Sequence, residues 1–252
     1  MNNEQYKNLM WHLLYTESLL ENISDATASG GDCECPVCKT KIRVFLPFGE
    51  TPRPNAQCPN CKSLERHRAL WLLLQQLNWY RKGMHVLHFA PELIFYRLFT
   101  SFKDIDYWSV DLDPKGYGGM VRKQVDITNI TFDDNSFDLI MCTHVLEHIP
   151  DDKKAMSELY RVLKPKTGIA FLNVPVYDMP QTFENPEINT PELRSKYYGQ
   201  FDHVRAYGLD YPQRLSEAGF IVHLITMQGF DEKTLKRYGL NKNEKIFLCR
   251  KD

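Results

Sequence analysis

The sequence predicts an α/β fold in which a largely parallel sheet of seven strands carries helices on both faces and follows a small cysteine-rich module. Two observations lead to this prediction. From Ser63 onward, strand-like and helical stretches alternate, which is the pattern that produces a parallel sheet between two helix layers. Before that point, two Cys-x2-Cys pairs stand close together in a chain of 252 residues, which is long enough for one sizeable domain and a small appendage.

Composition and charge narrow the class of protein. The chain is 43% hydrophobic and 25% charged, as soluble globular proteins are, and its formal net charge of -1 argues against a large surface for nucleic acid. It contains no run of 18 apolar residues, and its first residues have neither the basic start nor the small-residue cleavage site of a signal peptide. We therefore expect a cytoplasmic protein without a membrane-spanning segment.

Residues 1–30 are predicted to form a helix followed by a linker, "DATASGGD". Apolar side chains at helical spacing make one stripe, formed by Tyr6, Leu9, Met10, Leu13, Leu20 and Ile23. The alternative is a helix on a membrane surface, but its polar face carries more Glu than Lys, which favours packing against protein. We expect the helix to dock on its own domain or on a second copy of the chain, which would give a homodimer.

Residues 31–64 are predicted to form a zinc ribbon with four thiolate ligands. The ligands are two Cys-x2-Cys pairs separated by 19 residues, namely Cys35, Cys38, Cys58 and Cys61. This spacing lies in the range in which two knuckles converge on one tetrahedral zinc ion, and "KIRVFLP" between them is a predicted strand. Four protein ligands leave no position for a substrate, so the expected zinc is structural. Cys33 is an alternative ligand, although we favour a free thiol.

The helix predicted after the second cysteine pair begins with a basic stretch, "KSLERHRALW". Its basic residues stand close together and are Lys62, Arg66, His67 and Arg68. An RNA contact is one interpretation, but the net charge of the module is small, and we favour a solvated helix face. Ser63 is expected to cap this helix through its hydroxyl group.

Residues 65–252 are predicted to form the main domain. The strand candidates are "MHVLHFA", "DYWSVDL", "RKQVDI", "FDLIMCT", "TGIAFLNVP", "FIVHLITM" and "KIFLCR". Helical patterns separate most of these strands but not the last two, so we expect the last two to form an antiparallel hairpin. The long stretch 175–212 is rich in Tyr, Phe, Pro and Glu and is predicted to be a lid over the substrate.

The residues at the strand ends are the candidates for ligand binding, because open α/β sheets bind ligands beyond the carboxyl ends of their strands. They are His88, Ala90 and Glu92 after the first strand, Asp111 and Leu112 after the second, Asp126 and Ile127 after the third, and Thr143 and His144 after the fourth. Asp111 stands 19 positions after the first turn, where a carboxylate can accept from both hydroxyls of a ribose. Asp126 can accept from an exocyclic adenine amine while the amide of Ile127 donates to a ring nitrogen.

Residues 125–175 resemble a known family. Their features are an Asp after the third strand, "FDLI" leading to "HVLEHI", and a helix that ends in "LYRVLKP". Residues 84–252 are in this way similar to class I S-adenosylmethionine-dependent methyltransferases of the small-molecule type, the methyltransferase type 11 group. The resemblance implies a Rossmann-like seven-stranded sheet, mostly parallel with an antiparallel last strand, and S-adenosylmethionine as the cofactor held by the strand-end residues.

The end of the first strand departs from that family. Its members usually have an acidic residue and a Gly-x-Gly motif where His88, Ala90 and Glu92 stand here. Dinucleotide sites use glycine to bring the backbone close to a pyrophosphate, which S-adenosylmethionine does not have. A compact Ala-Pro turn, with Glu92 or a backbone carbonyl facing the methionine ammonium, would therefore still form a pocket.

Methyl transfer to a hydroxyl or amine requires a base. The candidates are His144, His148 and His203, with Glu147 between the first two. We favour His203, which lies in the predicted lid with Asp202 beside it, and a structural histidine is the alternative. For His148 and Glu147, capping and orienting the loop is the alternative to catalysis.

The function expected from these residues is transfer of a methyl group from S-adenosylmethionine to an oxygen or nitrogen of a small polar metabolite or a saccharide. One alternative is an RNA base methyltransferase that uses the zinc ribbon to hold its substrate, and salt-dependent RNA binding would favour it. Another is a non-catalytic, zinc-containing interaction module on a methyltransferase fold. Failure to bind the methyl donor would favour that alternative.

Overall fold

The structure, a computed structural model, describes residues 31–49 and 52–252. The described residues divide into two compact units. The cysteine unit consists of the described residues up to Asn78 and of Thr226–Glu244. The sheet unit consists of Trp79–Ile225 and Lys245–Asp252.

Several expectations from the sequence stay predictions. The predicted N-terminal helix, its homodimer contact and most of its linker fall on residues 1–30, outside the described residues. The domain limits drawn at 31–64 and 65–252 stay predictions, although residues 65–78 are grouped here with the cysteines. The predicted lid over residues 175–212 stays a prediction as well.

Short antiparallel pairs of strands form the sheet structure of the cysteine unit. β1 (Cys33–Glu34) pairs with β2 (Lys41–Ile42), and β3 (Leu46–Phe48) pairs with β4 (Arg53–Gln57). The predicted strand "KIRVFLP" is therefore divided between β2 and β3. The interruption contains Phe45, whose buried ring lies 4.0 Å from the guanidinium of Arg68, so this residue turns toward the interior of the unit.

Six helices occur in the described residues. They are α1 (Glu65–Gln76), α2 (Leu93–Ser101), α3 (Asp152–Val162), α4 (Pro191–Tyr198), α5 (Tyr211–Glu217) and α6 (Glu232–Tyr238). Polar caps set some of their starts: the side chain of Asp151 accepts from the N–H of Lys154 at 2.9 Å where α3 begins. None of the helices in the described part of the chain has both the length and the apolar character needed to cross a membrane.

Arg68 organises the interior of the cysteine unit. Its fully buried guanidinium donates to the carbonyl oxygens of Ala56 at 2.9 Å and Ser63 at 2.6 Å, and also to those of Tyr238 and Gly239 at the end of α6. A buried charge is tolerated only when it is hydrogen-bonded in this way. The prediction of a solvated helix face is therefore wrong for Arg68.

The start of α1 also differs from the prediction. His67 is buried, and its Nδ1 accepts from the N–H of Leu64 at 3.0 Å. This bond satisfies one of the free N–H groups at the helix start, a task that the sequence assigned to Ser63. The prediction of a solvated face is thus wrong for His67 too, since both residues serve the folding of their own unit.

The large sheet has seven strands: β5 (His85–Phe89), β6 (Asp106–Asp111), β7 (Lys123–Gln124), β8 (Leu139–Thr143), β9 (Ile169–Asn173), β10 (Ile221–Thr226) and β11 (Lys245–Arg250). Their order is β10-β11-β9-β8-β5-β6-β7. The pairs β5–β6, β6–β7, β5–β8 and β8–β9 are parallel, and β11 runs antiparallel to β9. The predicted seven-stranded, mostly parallel sheet with an antiparallel last strand is confirmed.

The central strands β5 and β8 form the buried middle of the sheet and determine where its crevice lies. All five residues of β8 and the last four of β5 are buried, as expected for parallel strands covered on both faces. After β5 the chain adds β6 and β7 on one side, and it then returns to place β8 on the other side of β5. The strand order therefore reverses between β5 and β8, which is where such sheets leave a crevice at their carboxyl ends.

The connection between β10 and β11 is longer than the sequence suggested. It contains a 3-10 turn, Met227–Gly229, and helix α6, which begins where the side chain of Asp231 accepts from the N–H of Thr234 at 2.9 Å. The expectation of a hairpin without a helix is therefore wrong. The helix is only 7 residues long and was hidden because it offers less than two turns of periodic pattern.

Candidate functional site

A cavity lies at the carboxyl ends of β5, β6 and β8, where the strand order reverses. Its volume is about 360 Å³, within the range of about 300–1,000 Å³ that is usual for small-molecule sites. The predicted cofactor residues that line it are Ala90, Asp111, Leu112, Asp126 and Ile127. Two of the predicted catalytic histidines, His144 and His148, line the same cavity.

Two residues that line the cavity adopt the left-handed backbone conformation without being glycine. Ala90, after β5, has a φ of 46°, and His144, after β8, has a φ of 56°. A Cβ atom in this region costs about 1–2 kcal/mol, and such strain concentrates at functional sites. The N–H of Ala90 donates to Val110 at 3.0 Å, and that of His144 donates to Asn173 at 2.8 Å. The glycine-like turn therefore exists here, although alanine stands in it.

Asp111 is held firmly at the end of β6. Its Oδ1 accepts from the N–H of Asp113 at 2.8 Å, and its Oδ2 accepts from the hydroxyl of Tyr117 at 2.8 Å. Burial and the hydrogen bond to Asp111 raise the pKa of Tyr117, so this phenol stays protonated as a donor. Each carboxylate oxygen has a second lone pair, which leaves Asp111 able to accept two more hydroxyl groups.

Asp126 and its neighbours form another part of the wall. Its Oδ1 accepts from the N–H and from the hydroxyl of Thr128, both at 2.8 Å, so the exposed carboxylate has a fixed orientation. The next residue, Ile127, is buried in the core and anchors the backbone at this point. Leu112 is 59% exposed, and its side chain offers an apolar surface for a ring.

Three predicted cofactor residues, His88, Glu92 and Thr143, are not among the residues that line the cavity. His88 is 0% exposed, and its Nδ1 lies 2.9 Å from the hydroxyl of Tyr107. The hydroxyl of Thr143 donates to Oε2 of Glu92 at 2.9 Å, which ties the end of β8 to the residue before α2. The contacts of these residues support the cavity from within the sheet unit.

His144 and His148 each face a carboxylate. Nδ1 of His144 lies 3.4 Å from Oε1 of Glu147, which is 1% exposed. Nδ1 of His148 lies 3.3 Å from Oδ2 of Asp202, which also lines the cavity. The cavity thus has carboxylates suited to hydroxyl and amine donors near β6 and β7, and imidazoles suited to proton transfer after β8.

His203 lies beside this group but is buried and is not one of the cavity-lining residues. Its Nδ1 is 3.0 Å from the carbonyl oxygen of Tyr198. Its ring packs edge-to-face against that of His148, with centroids 4.8 Å apart. Asp202, which the sequence placed beside His203 as partner of a base, contacts His148 instead.

The sequence interpretation missed several walls of the cavity, among them Tyr117, Val145 and Ile149. Tyr117 ends the 3-10 turn Pro114–Tyr117 after β6, and no periodic pattern marks a residue in so short a turn. Val145 and Ile149 flank the histidine-rich turn after β8. The apolar residues of "HVLEHI" in the sequence could have predicted an apolar wall beside the histidines.

The four predicted zinc ligands converge in the cysteine unit. The Sγ atoms of Cys35 and Cys61 are 3.6 Å apart, and those of Cys38 and Cys58 are 3.8 Å apart. All four sulfur atoms lie within 4.8 Å of one another. A tetrahedral zinc ion with Zn–S bonds of about 2.3 Å places its ligands about 3.8 Å apart, so this arrangement is compatible with zinc.

Both cysteine pairs are built by the same turn. The N–H of Lys39 donates to the carbonyl of Cys35 at 2.8 Å, and the N–H of Lys62 donates to the carbonyl of Cys58 at 3.0 Å. Lys39 has a φ of 61° and Lys62 a φ of 66°, so the residue after each pair is left-handed. Both pairs therefore present their two sulfur atoms from the same kind of turn.

Ser63 contacts the four-cysteine cluster, whereas Cys33 lies outside it. The hydroxyl oxygen of Ser63 lies 3.2 Å from the sulfurs of both Cys35 and Cys61, a position from which a hydroxyl donates to metal-bound thiolates. Contacts with Cys58 and Cys61 hold the pKa of the Cys35 thiol far below its ordinary value. Cys33 stands apart from the four, with its sulfur 3.5 Å from the carbonyl oxygen of Lys236.

The strand order, the antiparallel pairing of β11 with β9 and the crevice at the reversal point are typical of the methyltransferase fold. The family comparison agrees with the architecture, since residues 97–171 match the family described as "Methyltransferase domain". This part of the chain is thus similar to a methyltransferase domain. No curated protein matches the sequence.

Several solved structures match the chain at low sequence identity. The YcgJ protein from Bacillus subtilis is 17% identical, with 74% of this chain and 99% of that chain covered and a TM-score of 0.46. A methyltransferase in complex with the Trm112 methyltransferase activator, from Haloferax volcanii, is 15% identical, with 72% and 93% covered and a TM-score of 0.45. Phosphoethanolamine N-methyltransferase 2 from Haemonchus contortus, in complex with S-adenosyl-L-methionine, is 17% identical, with 72% and 51% covered and a TM-score of 0.47.

Proposed function

We propose that this protein is an enzyme that transfers the methyl group of S-adenosylmethionine to an oxygen or nitrogen of a small polar metabolite or a saccharide. The observation that carries the proposal is the cavity at the reversal point of the sheet. It brings Asp111 and Asp126, two acceptors suited to a nucleoside, into the same space as His144. Two strained, non-glycine positions lie beside it, as expected where function sets the backbone.

The residues present fit the cofactor group by group. Asp111 would accept from the ribose hydroxyls with its remaining lone pairs, and Asp126 would accept from the adenine amine while the amide of Ile127 donates to the ring. The exposed side chain of Leu112 would cover one face of the adenine. When bound, S-adenosylmethionine supplies a methyl group that is already activated by a positively charged sulfur.

His144, rather than His203, is the base in this proposal. It lines the cavity, its side chain is 38% exposed, and its Nδ1 faces the buried carboxylate of Glu147 at 3.4 Å. When His144 takes the proton that the acceptor loses, the carboxylate of Glu147 faces the positive charge of the imidazolium.

The cysteine unit is proposed to hold a structural zinc ion through its four cysteines. Four thiolates complete the tetrahedral coordination of zinc, so no position remains for a substrate. The ion would join the turn after β1 to the turn before α1 and thereby stabilise a unit with little regular structure. Support for RNA binding is weak, because Arg68 and His67 are buried within their own unit.

Calorimetric titration with S-adenosylmethionine and S-adenosylhomocysteine tests this function before any acceptor is known. We expect micromolar binding of both compounds, lost in the Asp126→Ala variant and retained in Asp133→Ala, which changes an exposed carboxylate outside the cavity. Binding by the wild-type protein would justify a screen of acceptors with S-adenosylhomocysteine release as the readout. A folded wild-type protein that binds neither compound would instead support a non-catalytic interaction module.

A further inference from the structure

A cluster of three ligand-type side chains stands next to the cavity. Glu147 and His148 belong to the 3-10 turn Leu146–His148 after β8, and His203 comes from the segment that precedes α5. Each residue offers one nitrogen or oxygen atom, and these atoms lie within 4.8 Å of one another. Two imidazoles and one carboxylate at this spacing can converge on a single cation.

The carboxylate of Glu147 is the first observation that points to a ligand. It is 1% exposed, and neither of its oxygen atoms has a hydrogen-bond partner in the described part of the chain. The nearest cationic group is Nδ1 of His144, 3.4 Å from Oε1, and it is charged only if that histidine is protonated. A buried carboxylate without hydrogen bonds is strongly disfavoured unless it is paired or coordinates a metal.

The two histidines provide the second observation. Nδ1 of His148 lies 3.3 Å from the carboxylate of Asp202, and Nδ1 of His203 lies 3.0 Å from the carbonyl oxygen of Tyr198. In metal centres the ring nitrogen that does not bind the ion almost always donates to a carboxylate or a backbone carbonyl, which fixes the tautomer and the ring orientation. Both imidazoles are therefore held in the form that leaves Nε2 free as a ligand.

The backbone holds the two segments in register. The N–H of Val204, next to His203, donates to the carbonyl of Glu147 at 2.9 Å. The buried guanidinium of Arg205 donates to the carbonyl of Leu146 at 2.9 Å and to that of Pro150 at 2.8 Å. These hydrogen bonds hold the segment that carries His203 against the turn that carries Glu147 and His148.

We propose that Glu147, His148 and His203 bind a divalent transition-metal ion such as Zn²⁺ or Mn²⁺. Two imidazoles and one carboxylate suit such ions, whereas Mg²⁺ and Ca²⁺ prefer sites made of oxygen ligands. Three protein ligands would leave coordination positions open, and because His148 also lines the cavity, an ion held there would lie beside the space where an acceptor would bind. This last step rests on the proposed methyltransferase function. It favours an acceptor that presents a hydroxyl group, since a hydroxyl bound to such an ion has a lowered pKa.

Titration with Co²⁺ of protein that carries one equivalent of Zn²⁺ tests the site, because the four thiolates take up that first ion and the second set of ligands stays empty. We expect calorimetry to show one further ion bound by the wild-type protein, with an absorption spectrum that lacks the strong charge-transfer band of thiolate ligands. Glu147→Gln and His148→Asn should each weaken Co²⁺ binding at least about tenfold, and Asp202→Asn should weaken it by a factor of about 10–100 through the orientation of His148. The matched control is His223→Ala, which removes an exposed histidine of β10.

Either of two results would overturn the proposal: no further Co²⁺ bound by the wild-type protein, or equal binding in the wild type and in both ligand variants. Binding of S-adenosylhomocysteine by the same samples shows that each variant is folded and separates the two hypotheses. If Co²⁺ binds but S-adenosylhomocysteine does not, the metal site stands and the methyltransferase function fails. The reverse result leaves the function in place and removes the metal.

Discussion

The four cysteines and the set formed by Glu147, His148 and His203 are both groups of metal-ligating side chains, but they are built in opposite ways. The cysteines come from two copies of one local turn, and four of them close the coordination of the expected zinc ion. The second set joins one turn to a residue from a distant segment, and it leaves coordination positions open. A closed set suits a structural ion, whereas an open set beside a cavity suits a substrate.

The two sites differ in the range of the contacts that bring their ligands together. Each cysteine pair lies within one local turn, so the spacing of its two ligands is visible in the sequence. The open set exists only because the N–H of Val204 and the guanidinium of Arg205 hold one segment against the carbonyls of the other. Variants that break one site and spare the other therefore sharpen the contrast.

The largest expected effect comes from breaking the closed site. Cys58→Ser removes one of four thiolates, and we expect the protein to lose its tightly held zinc and the cysteine unit to unfold. In small zinc modules the binding free energy of about 10–16 kcal/mol is folding free energy, so little stability remains without the ion. Metal analysis of the purified protein and thermal unfolding followed by circular dichroism measure both parts.

Cys33→Ser is the matched control for that experiment. Cys33 is also a buried thiol of the cysteine unit, but its sulfur contacts the carbonyl of Lys236 and stands outside the four-sulfur set. The variant should keep its full zinc content. A Cys58→Ser protein with unchanged zinc, or a Cys33→Ser protein without it, would contradict the assignment of the ligands.

The next effect concerns proton transfer in the cavity beside the open set. His144→Ala should lower turnover about a hundredfold or more, because it removes the proposed base from the cavity, while the affinity for S-adenosylhomocysteine stays unchanged. Turnover is measured with the acceptor found in the screen. His223→Ala should retain full turnover, and undiminished activity in His144→Ala would return the role of base to His203.

A smaller effect is expected where the cofactor's ribose would bind. Asp111→Ala should weaken binding of S-adenosylhomocysteine by about 1–3 kcal/mol, which is the cost of leaving buried hydroxyl groups without an acceptor. Tyr117→Phe keeps the carboxylate and removes only the hydroxyl that donates to it, so it should weaken binding less. Calorimetry gives both affinities, and an unchanged value for Asp111→Ala would exclude this residue from the site.

Two backbone substitutions test the left-handed positions of the two units. Gly239 has a φ of 57°, and an added Cβ would overlap Phe45 and lie 2.9 Å from Nη2 of Arg68, so Gly239→Ala should destabilise the protein by about 1–3 kcal/mol. Ala90→Gly removes the strain of a left-handed alanine, which should raise the free energy of unfolding by about 1–2 kcal/mol. The glycine also increases the conformational entropy of the unfolded chain, which lowers the free energy of unfolding by about 0.4–1 kcal/mol. Its net effect in chemical denaturation should be small and stabilising. A large loss on Ala90→Gly would mean that the methyl group itself packs in the turn.

Much of the fold was predictable because its signals are local. The seven strands of the large sheet and the two cysteine pairs appear where the sequence placed them. Continuous apolar runs that are buried, as in β5 and β8, favour strands at those positions. Helix α6 escaped because it is short. The solvated face assigned to Arg68 was wrong because helical spacing cannot show that carbonyls from β4 and α6 surround that side chain.

The candidate site was predictable only in part. Asp111 and Asp126 stand at strand ends, a position that chain order alone defines, and both line the cavity. His88 also stands near a strand end, but the pleat turns it toward Tyr107 and away from the lining residues. Asp202 and His203 are neighbours in sequence, yet only the fold shows that the first contacts His148 and the second contacts Tyr198.

The sequence by itself determined the seven-stranded sheet, the grouping of the four cysteines and the strand-end acids of the cavity. These features depend on spacing and periodicity, which the chain carries in every conformation. Tertiary structure alone decided that alanine takes a glycine's conformation after β5 and that a buried carboxylate meets two oriented imidazoles. Such features depend on contacts between segments far apart in the chain, and those contacts exist only after the apolar core has fixed the segments in place.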